Sequence, residues 1–145
     1  MIVRKIVESK NIQQILTVKP GDTVMVAAEI LSKNRIGAVV VSSDGKTLEG
    51  ILSERDIVKT IGVAGAGCLQ QAVSTLMTSK VMHCALDDTS ESVMERMTEG
   101  RFRHMPVMEE GDMVALISIG DVVKARISEI ESENSALTGM ISNSW

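Results

Sequence analysis

The chain has almost no aromatic side chains: Phe102 and Trp145 are the only two in 145 residues, and tyrosine is absent. Single-stranded nucleic acid is held on stacked aromatic platforms, and these are missing. An excess of positive charge is missing as well. Fifteen Lys and Arg stand against 19 Asp and Glu, a formal charge of −4, with the two signs interspersed. No extended positive field is available to follow a phosphate backbone, so nucleic acid is not an expected partner. A flat ring bound by this chain has to be gripped by aliphatic side chains. No apolar run approaches the roughly 20 residues that span a bilayer, and the opening MIVRKIVESK lacks the long apolar stretch of a secretory signal. No membrane partner is expected.

Cysteine is limited to Cys68 and Cys84, in unrelated places. They suggest no disulfide framework, which suits a reducing, cytoplasmic setting. His83-Cys84 invites a metal reading, but two His and two Cys in the whole chain supply no compact set at zinc spacing, and no metal is expected. Cys84 reads as an inert strand residue, and the ten Met residues as adaptable core filler. No Ser-His-Asp or Cys-His constellation can be argued from spacing, so an enzyme is not expected.

What is present is a duplication. Gly50 to Asp56 reads GILSERD and Ala115 to Asp121 reads ALISIGD: an apolar strand end, Ser-x-x-Asp, then a helix start. The correspondence extends outward at an offset of 66, with one deletion in the second copy. Asp22-Thr23 meets Asp88-Thr89; Glu29, Arg35, Val41 and Gly45 meet Glu95, Arg101, Val107 and Gly111; and Val58-Lys59 meets Val123-Lys124. Each half alone is about the length at which a hydrophobic core becomes marginal, so the halves are expected to bury their sheets against each other. A pseudo-two-fold seam with matching clefts follows, and small ligands favour such clefts.

The elements follow from local pattern. Val3, Ile6 and Val7 match Leu69, Ala72 and Val73 in helical spacing, giving each half a lead-in helix. Extended segments follow at Ile15–Val18 and Val81–Cys84. The Asp-Thr pairs then cap helices running from about Thr23 to Asn34 and about Thr89 to Gly100. Strands GAVVVS and HMPVM lead through turns at Gly45 and Gly111 to a second strand that carries the repeated motif. Ile127, Ile130, Leu137 and Ile141 lie at near-helical spacing in the tail. The predicted class is α/β of the α+β type, two pseudo-symmetric β-α-β-β-α repeats set sheet to sheet. The division is 1–61 for the lead-in and first repeat, 62–68 for a linker, 69–127 for the second lead-in and repeat, and 128–145 for a C-terminal helix or tail. GVAGAG at 62–67 follows a helix, whereas Gly-rich phosphate loops follow a strand, so it reads as linker.

These residues resemble a tandem pair of CBS domains (a Bateman module), the roughly 60-residue regulatory units named after cystathionine β-synthase, in a short, stand-alone, bacterial-type version. The likeness covers nearly the whole chain. It rests on LTVKPGDTV, on R-F-R-H-M-P-V before the second-copy strand, and on the paired G-h-x-S-x-x-D motifs. Two positions depart from the pattern: Ala115 replaces the motif glycine, and the first copy reads R-I-G-A-V-V-V without the proline.

Ser53-x-x-Asp56 and Ser118-x-x-Asp121 satisfy the capping-box pattern, which alone accounts for both. The same geometry offers a second use. A helix N-terminus presents free N–H groups to an anion, and one ionised aspartate can accept both hydroxyls of a ribose. The resemblance implies that adenine ribonucleotides are held this way, each cleft joining Ser-x-x-Asp of one copy to strand entrances of the other. The first cleft would join Ser118, Ile119, Gly120 and Asp121 to Thr17, Ile36, Gly37 and Ala38. Its mirror would join Ser53, Arg55 and Asp56 to His83, Phe102 and Arg103, more crowded because Phe102 and Arg103 replace Ile36 and Gly37. Arg101, Arg103 and His104, next to Met105, form a cationic cluster suited to phosphate or, alternatively, a solvated loop.

The implied function is a regulatory sensor of AMP, ADP, ATP or NAD, AMP foremost, acting on an unidentified regulated protein or through a homodimer. Two other readings stay open: an interaction module without ligand, and a binder of S-adenosylmethionine.

Overall fold

The computed structural model describes residues 1–10 and 15–143, with side chains through 139. The Ile141 side chain and Trp145 lie outside that description. The first half runs α1 (Val3–Ser9), β1 (Thr17–Val18), α2 (Val24–Asn34), β2 (Ala38–Val41), β3 (Gly50–Ser53) and α3 (Glu54–Ala64). A single 3-10 turn at Ala66–Gln70 leads to α4 (Val73–Leu76), β4 (Cys84–Ala85), α5 (Ser90–Gly100), β5 (His104–Glu109), β6 (Asp112–Ser118) and α6 (Ile119–Asn143). Each half holds a three-stranded sheet, ordered β1-β2-β3 and β4-β5-β6. In both, the outer pairing is parallel and the hairpin antiparallel. Ala38 pairs with Ser53, and His104 with Ser118, so the registers coincide once the deletion is counted.

The helix boundaries have local causes. Thr23 Oγ1 accepts the Val26 N–H at 3.3 Å, and Thr89 Oγ1 accepts the Ser92 N–H at 3.1 Å, closing the N-termini of α2 and α5. Both helices end in a left-handed residue, Arg35 at φ 52° and Arg101 at φ 55°, where glycine is the usual occupant. In the second hairpin Glu110 and Gly111 both have positive φ, the geometry of a type I′ turn. The first hairpin turn is wider and closes on Asp44, whose Oδ1 accepts the Lys46 and Thr47 N–H groups at 2.8 and 2.7 Å.

All four residues of β2 are buried. Val39 and Val41 join a core with Val24, Ala27, Leu31, Leu52 and Ile57. Strand alternation turns Ala38 and Val40 to the opposite face, yet both are nearly inaccessible as well. A sheet with helices on one face alone would leave that second face wet, so the sheet is covered on both sides. The Met113 N–H donates to the Lys46 carbonyl at 2.9 Å, joining the second hairpin to the first.

The lead-in segments are exchanged between the halves. Val3 and Ile6 of α1 are buried in the second core, with Cys84, Val93, Met97, Met105 and Ile117. Val73 of α4 is buried in the first core, with Leu69, Leu76 and Met77 against it. The backbone repeats the exchange. Val3 N–H bonds the Asp88 carbonyl and Arg4 N–H the Leu86 carbonyl, while Val73 N–H bonds the Asp22 carbonyl and Ser74 N–H the Pro20 carbonyl. The equivalent of Val3 is therefore Val73, four residues beyond the expected Leu69. Four residues is about one helical turn, so the apolar pattern looks the same in either alignment. The second lead-in is also not one helix: Leu69 lies in the 3-10 turn, and Ala72 is extended, bridging to Thr23.

Candidate ligand clefts at the seam

Two cavities open where the halves meet. The first, about 500 Å³, has Ile51, Ser53, Glu54, Arg55 and Asp56 on one side. Thr78 to Met82 (without Ser79) and Gly100 to His104 close the other side. The second, about 450 Å³, is bounded by Lys10, Leu116, Ser118 and Asp121 on one side and by Ile15, Leu16, Arg35 and Ile36 on the other. Gly37, Ala38 and His104 belong to both walls.

Both Ser-x-x-Asp motifs cap their helices. Asp56 Oδ2 accepts the Ser53 N–H and hydroxyl, each at 2.9 Å, and the Asp56 N–H donates to Ser53 Oγ at 3.2 Å. Asp121 Oδ2 accepts the Ser118 N–H at 2.8 Å, and the Asp121 N–H donates to Ser118 Oγ at 3.2 Å. Capping and a place on a cavity wall coexist, because each cap uses one carboxylate oxygen, Oδ2. The capping reading is thus correct for both motifs and does not compete with the other use.

The two aspartates differ in their surroundings. Lys10 Nζ lies 2.6 Å from Asp121 Oδ2 and donates to the Leu116 carbonyl at 2.7 Å. Burial pushes the Asp121 carboxyl up, but the Lys10 ammonium and the Ser118 N–H together hold it below its ordinary value. Asp56 carries no ion pair among the described residues. Four basic side chains, Arg55, Lys80, Arg101 and Arg103, line the first cavity, with Glu54 and Asp56 the only lining carboxylates among the described residues. Lys10 and Arg35 line the second with Asp121.

His104 separates the cavities. Burial, reinforced by the Lys10 ammonium, pushes its imidazole below the usual histidine range, outweighing Glu54 and Asp121. The expected cationic cluster is therefore Arg101 and Arg103, with His104 a neutral donor and acceptor at pH 7. Gly37 is what admits the ring: a Cβ there would stand 3.0 Å from His104 Cε1. The room that Gly37 leaves is taken by a side chain of the other half.

Of the residues singled out in the sequence, the structure gathers Ile36, Gly37, Ala38, Ser118 and Asp121 at one cavity. It gathers Ser53, Arg55, Asp56, Arg101, Phe102, Arg103 and His104 at the other. Five lie elsewhere. Thr17 pairs with Val40 on β1, and its equivalent His83 lends its carbonyl to Arg96 Nη1; the chain meets the cavities one or two residues earlier, at Ile15-Leu16 and Val81-Met82. Met105 alternates onto the core face and is fully buried. Ile119 packs against that same core. Gly120 sits one residue into α6, absent from either wall.

The Asp56 cavity is not the more crowded one. Phe102 folds back on Gly100, where a Cβ would collide with the ring, and so lines the cavity without filling it. Sequence reasoning missed Lys10, Glu54 and Lys80. Lys80 adjoins a segment already read as extended, whereas nothing in the spacing marks Lys10.

No group of three or more His, Cys, Asp or Glu side chains suited to a metal occurs among the described residues, and no helix among them is long and apolar enough to cross a membrane. The model of the CBS domain matches residues 3–63 and 73–128. Among curated proteins, the chain is 33% identical to the CBS domain-containing protein CBSX3, mitochondrial, of Arabidopsis thaliana, over 86% of this chain and 62% of that protein. It spans 23% of the Arabidopsis CBS domain-containing protein CBSCBSPB2, so the first curated relatives it matches are longer. Among solved structures, ATU1752 of Agrobacterium tumefaciens, a CBS-domain containing protein, is 44% identical, covering 87% of this chain and 99% of its own, with a TM-score of 0.82. More distant in sequence but alike in fold are PAE2072 of Pyrobaculum aerophilum and the CBS pair of MJ0100. PAE2072, complexed with AMP, has 22% identity and a TM-score of 0.72 over 83% of this chain and 89% of its own. MJ0100, in complex with 5-methylthioadenosine and S-adenosyl-L-methionine, has 20% identity and 0.76 over 89% and 98%. Two matched segments, two equivalent sheets and two paired motifs agree: the chain belongs to the CBS domain family, as a tandem pair.

Proposed function

We propose that this pair is a regulatory module that senses an adenine nucleotide in the clefts between its halves. One observation carries the reading. Asp56 caps α3 through a single carboxylate oxygen at the edge of a cavity of about 500 Å³ lined by four basic side chains. A carboxylate for the ribose diol, cations for phosphate and aliphatic walls for the ring are thereby close together. AMP is the first ligand to test, with ADP, ATP and NAD sharing the same groups. AMP in the Pyrobaculum protein supports the choice. The methylthioadenosine and S-adenosylmethionine of MJ0100 support the adenosine half of it.

The reading assigns no reaction to the chain, and it places it in a reducing, cytoplasmic setting, in keeping with free, buried Cys68 and Cys84. Ligand would act by binding one arrangement of the halves, or of a homodimer, better than another. Val58 and Val63 on α3, and Ile127 and Ile130 on α6, are exposed apolar side chains that a second copy or a regulated protein would cover.

The observed caps favour one competing reading, a module that binds proteins only. Calorimetric titration with AMP separates the two. The sensor gives saturable heat that Asp56→Ala removes, and a melting temperature that rises with AMP by mass action. Flat heats for AMP, ADP, ATP, NAD and S-adenosylmethionine alike would leave the interaction module standing.

A further inference from the structure

The duplication makes the two clefts look interchangeable, but their contents differ. In the first cavity, the Asp56 carboxylate bonds only within its own cap among the described residues, and Arg55, Lys80, Arg101 and Arg103 outnumber the carboxylates. In the second, the equivalent carboxylate is already engaged. Lys10 Nζ sits 2.6 Å from Asp121 Oδ2 and 2.7 Å from the Leu116 carbonyl oxygen. A bound ribose would donate hydroxyl hydrogens to that carboxylate, and the ammonium now donates to it. The other charge on the second wall is Arg35, and none of residues 11–14 carries a charged side chain.

The lysine is held in place by the fold. α1 is anchored in the second core by Val3 and Ile6 and stays helical through Ser9, which delivers Lys10 to the edge of β6. Its counterpart α4 ends at Leu76, so the chain there turns extended. Thr78 then pairs with Ile51 through two backbone hydrogen bonds, at 3.0 and 2.9 Å. The same stretch of sheet edge is satisfied by backbone in one half and by a lysine in the other. The lysine alone also reaches the aspartate.

We infer that the clefts are unequal by construction: the Asp56 cleft is the site for a phosphorylated nucleoside, whereas in the Asp121 cleft the Lys10 ammonium, paired to the capping oxygen Oδ2, already compensates the carboxylate that a ribose diol would use. A second nucleotide has to compete with the Lys10 ammonium for that carboxylate's charge. A cleft whose competent state is about one tenth populated binds about tenfold more weakly than the same cleft left open. The inference rests on the nucleotide reading above and adds an order of filling to it.

The test is calorimetry with AMP, and with adenosine, on the full chain and three variants. The wild type takes up one strongly bound AMP per chain. Lys10→Met keeps the aliphatic stem and removes the ammonium, and a second equivalent of AMP becomes measurable, tightened about tenfold. Adding Asp121→Asn to Lys10→Met abolishes that gained site. Arg103→Met weakens AMP more than adenosine, because only AMP carries the phosphate. Circular dichroism melts verify that each variant is folded, and a Lys10→Gln variant replaces Lys10→Met if the latter is not. Two equal sites in the wild type, or a Lys10 variant that binds as the wild type does, overturns the inequality while the nucleotide reading survives. No binding of AMP by any form overturns both.

Discussion

The two β-hairpins meet their exchanged lead-ins in opposite ways, and the difference explains a departure in the repeated motif. In the first half the chain after α4 becomes a short strand partner for β3, and Gly50 lies under it. A Cβ on Gly50 would stand 2.6 Å from Met77 Sδ and 2.9 Å from the Thr78 carbonyl oxygen. In the second half α1 remains helical to Ser9, no such strand bridge forms among the described residues, and the equivalent position holds Ala115, a buried member of the second core. One glycine is thus required by a backbone passing overhead. Its counterpart is free to fill space with a methyl group.

The largest effect should come from reversing those two residues. Gly50→Ala forces the methyl against a main-chain oxygen that cannot rotate away, and the expected loss is about 2 kcal/mol, as for overpacked cores. Ala115→Gly removes a buried methyl and loosens a strand, for about 1 kcal/mol. Urea unfolding of both variants checks the order. Equal losses would mean that the Thr78 bridge presses on Gly50 no more than the helix presses on Ala115.

A second contrast sets His104 against its equivalent Ala38, since a titratable ring stands at only one of the two strand entrances. His104 faces Lys10, Glu54, Asp121 and Arg103, and the fold holds it below its ordinary pKa of 6.5, chiefly by burial. Below that pH the unfolded chain binds a proton that the folded chain refuses, so stability falls with pH from about 6.5 downward. Asp121 contributes with the opposite charge bookkeeping but the same direction. Its carboxylate is stabilised in the fold, and that contribution is present above 3.8 and lost as pH drops through the lower folded value. Chemical denaturation of His104→Gln from pH 7.5 to 3 should flatten the upper limb of the curve and keep the acid limb. An unchanged upper limb would place the ring in water rather than between the clefts.

Much of this architecture could be read from local pattern, and what could not has a common cause. Thr23 and Thr89 cap their helices as expected, α2 and α5 end at Asn34 and Gly100, and the hairpins turn at Gly45 and Gly111. Each of those signals acts within a few residues. The exchange of α1 and α4 between cores does not, because an apolar stripe states that it needs a partner without stating which one. The four-residue slip of Val3 onto Leu69 has the same origin. At the clefts, Ser53, Arg55, Asp56, Ser118 and Asp121 of the repeated motif line a cavity wall, since cap and wall share the same geometry, whereas Ile119 packs on the core and Gly120 lines neither wall. Lys10 was invisible, as a lone lysine has no periodicity, and its role depends on a contact with Asp121, more than 100 residues away.

The smallest effect concerns the left-handed arginines, which the repeat keeps in matching places. Arg35 and Arg101 both hold a conformation that costs a side-chain-bearing residue about 1–2 kcal/mol and glycine almost nothing. Glycine gives back part of that through its greater freedom when unfolded, so Arg35→Gly and Arg101→Gly should each gain about 0.5 kcal/mol or less. Thermal melts measure this, and a clear loss in either would show that the guanidinium braces the fold. Ligand response then divides the pair. Arg101 lines the cleft that fills first, so Arg101→Gly should weaken AMP in the wild-type background. Arg35 lines the cleft that Lys10 occupies, so the effect of Arg35→Gly on AMP should emerge once Lys10 is replaced by Met. A backbone change common to both halves would thus separate two clefts that the repeat alone cannot tell apart.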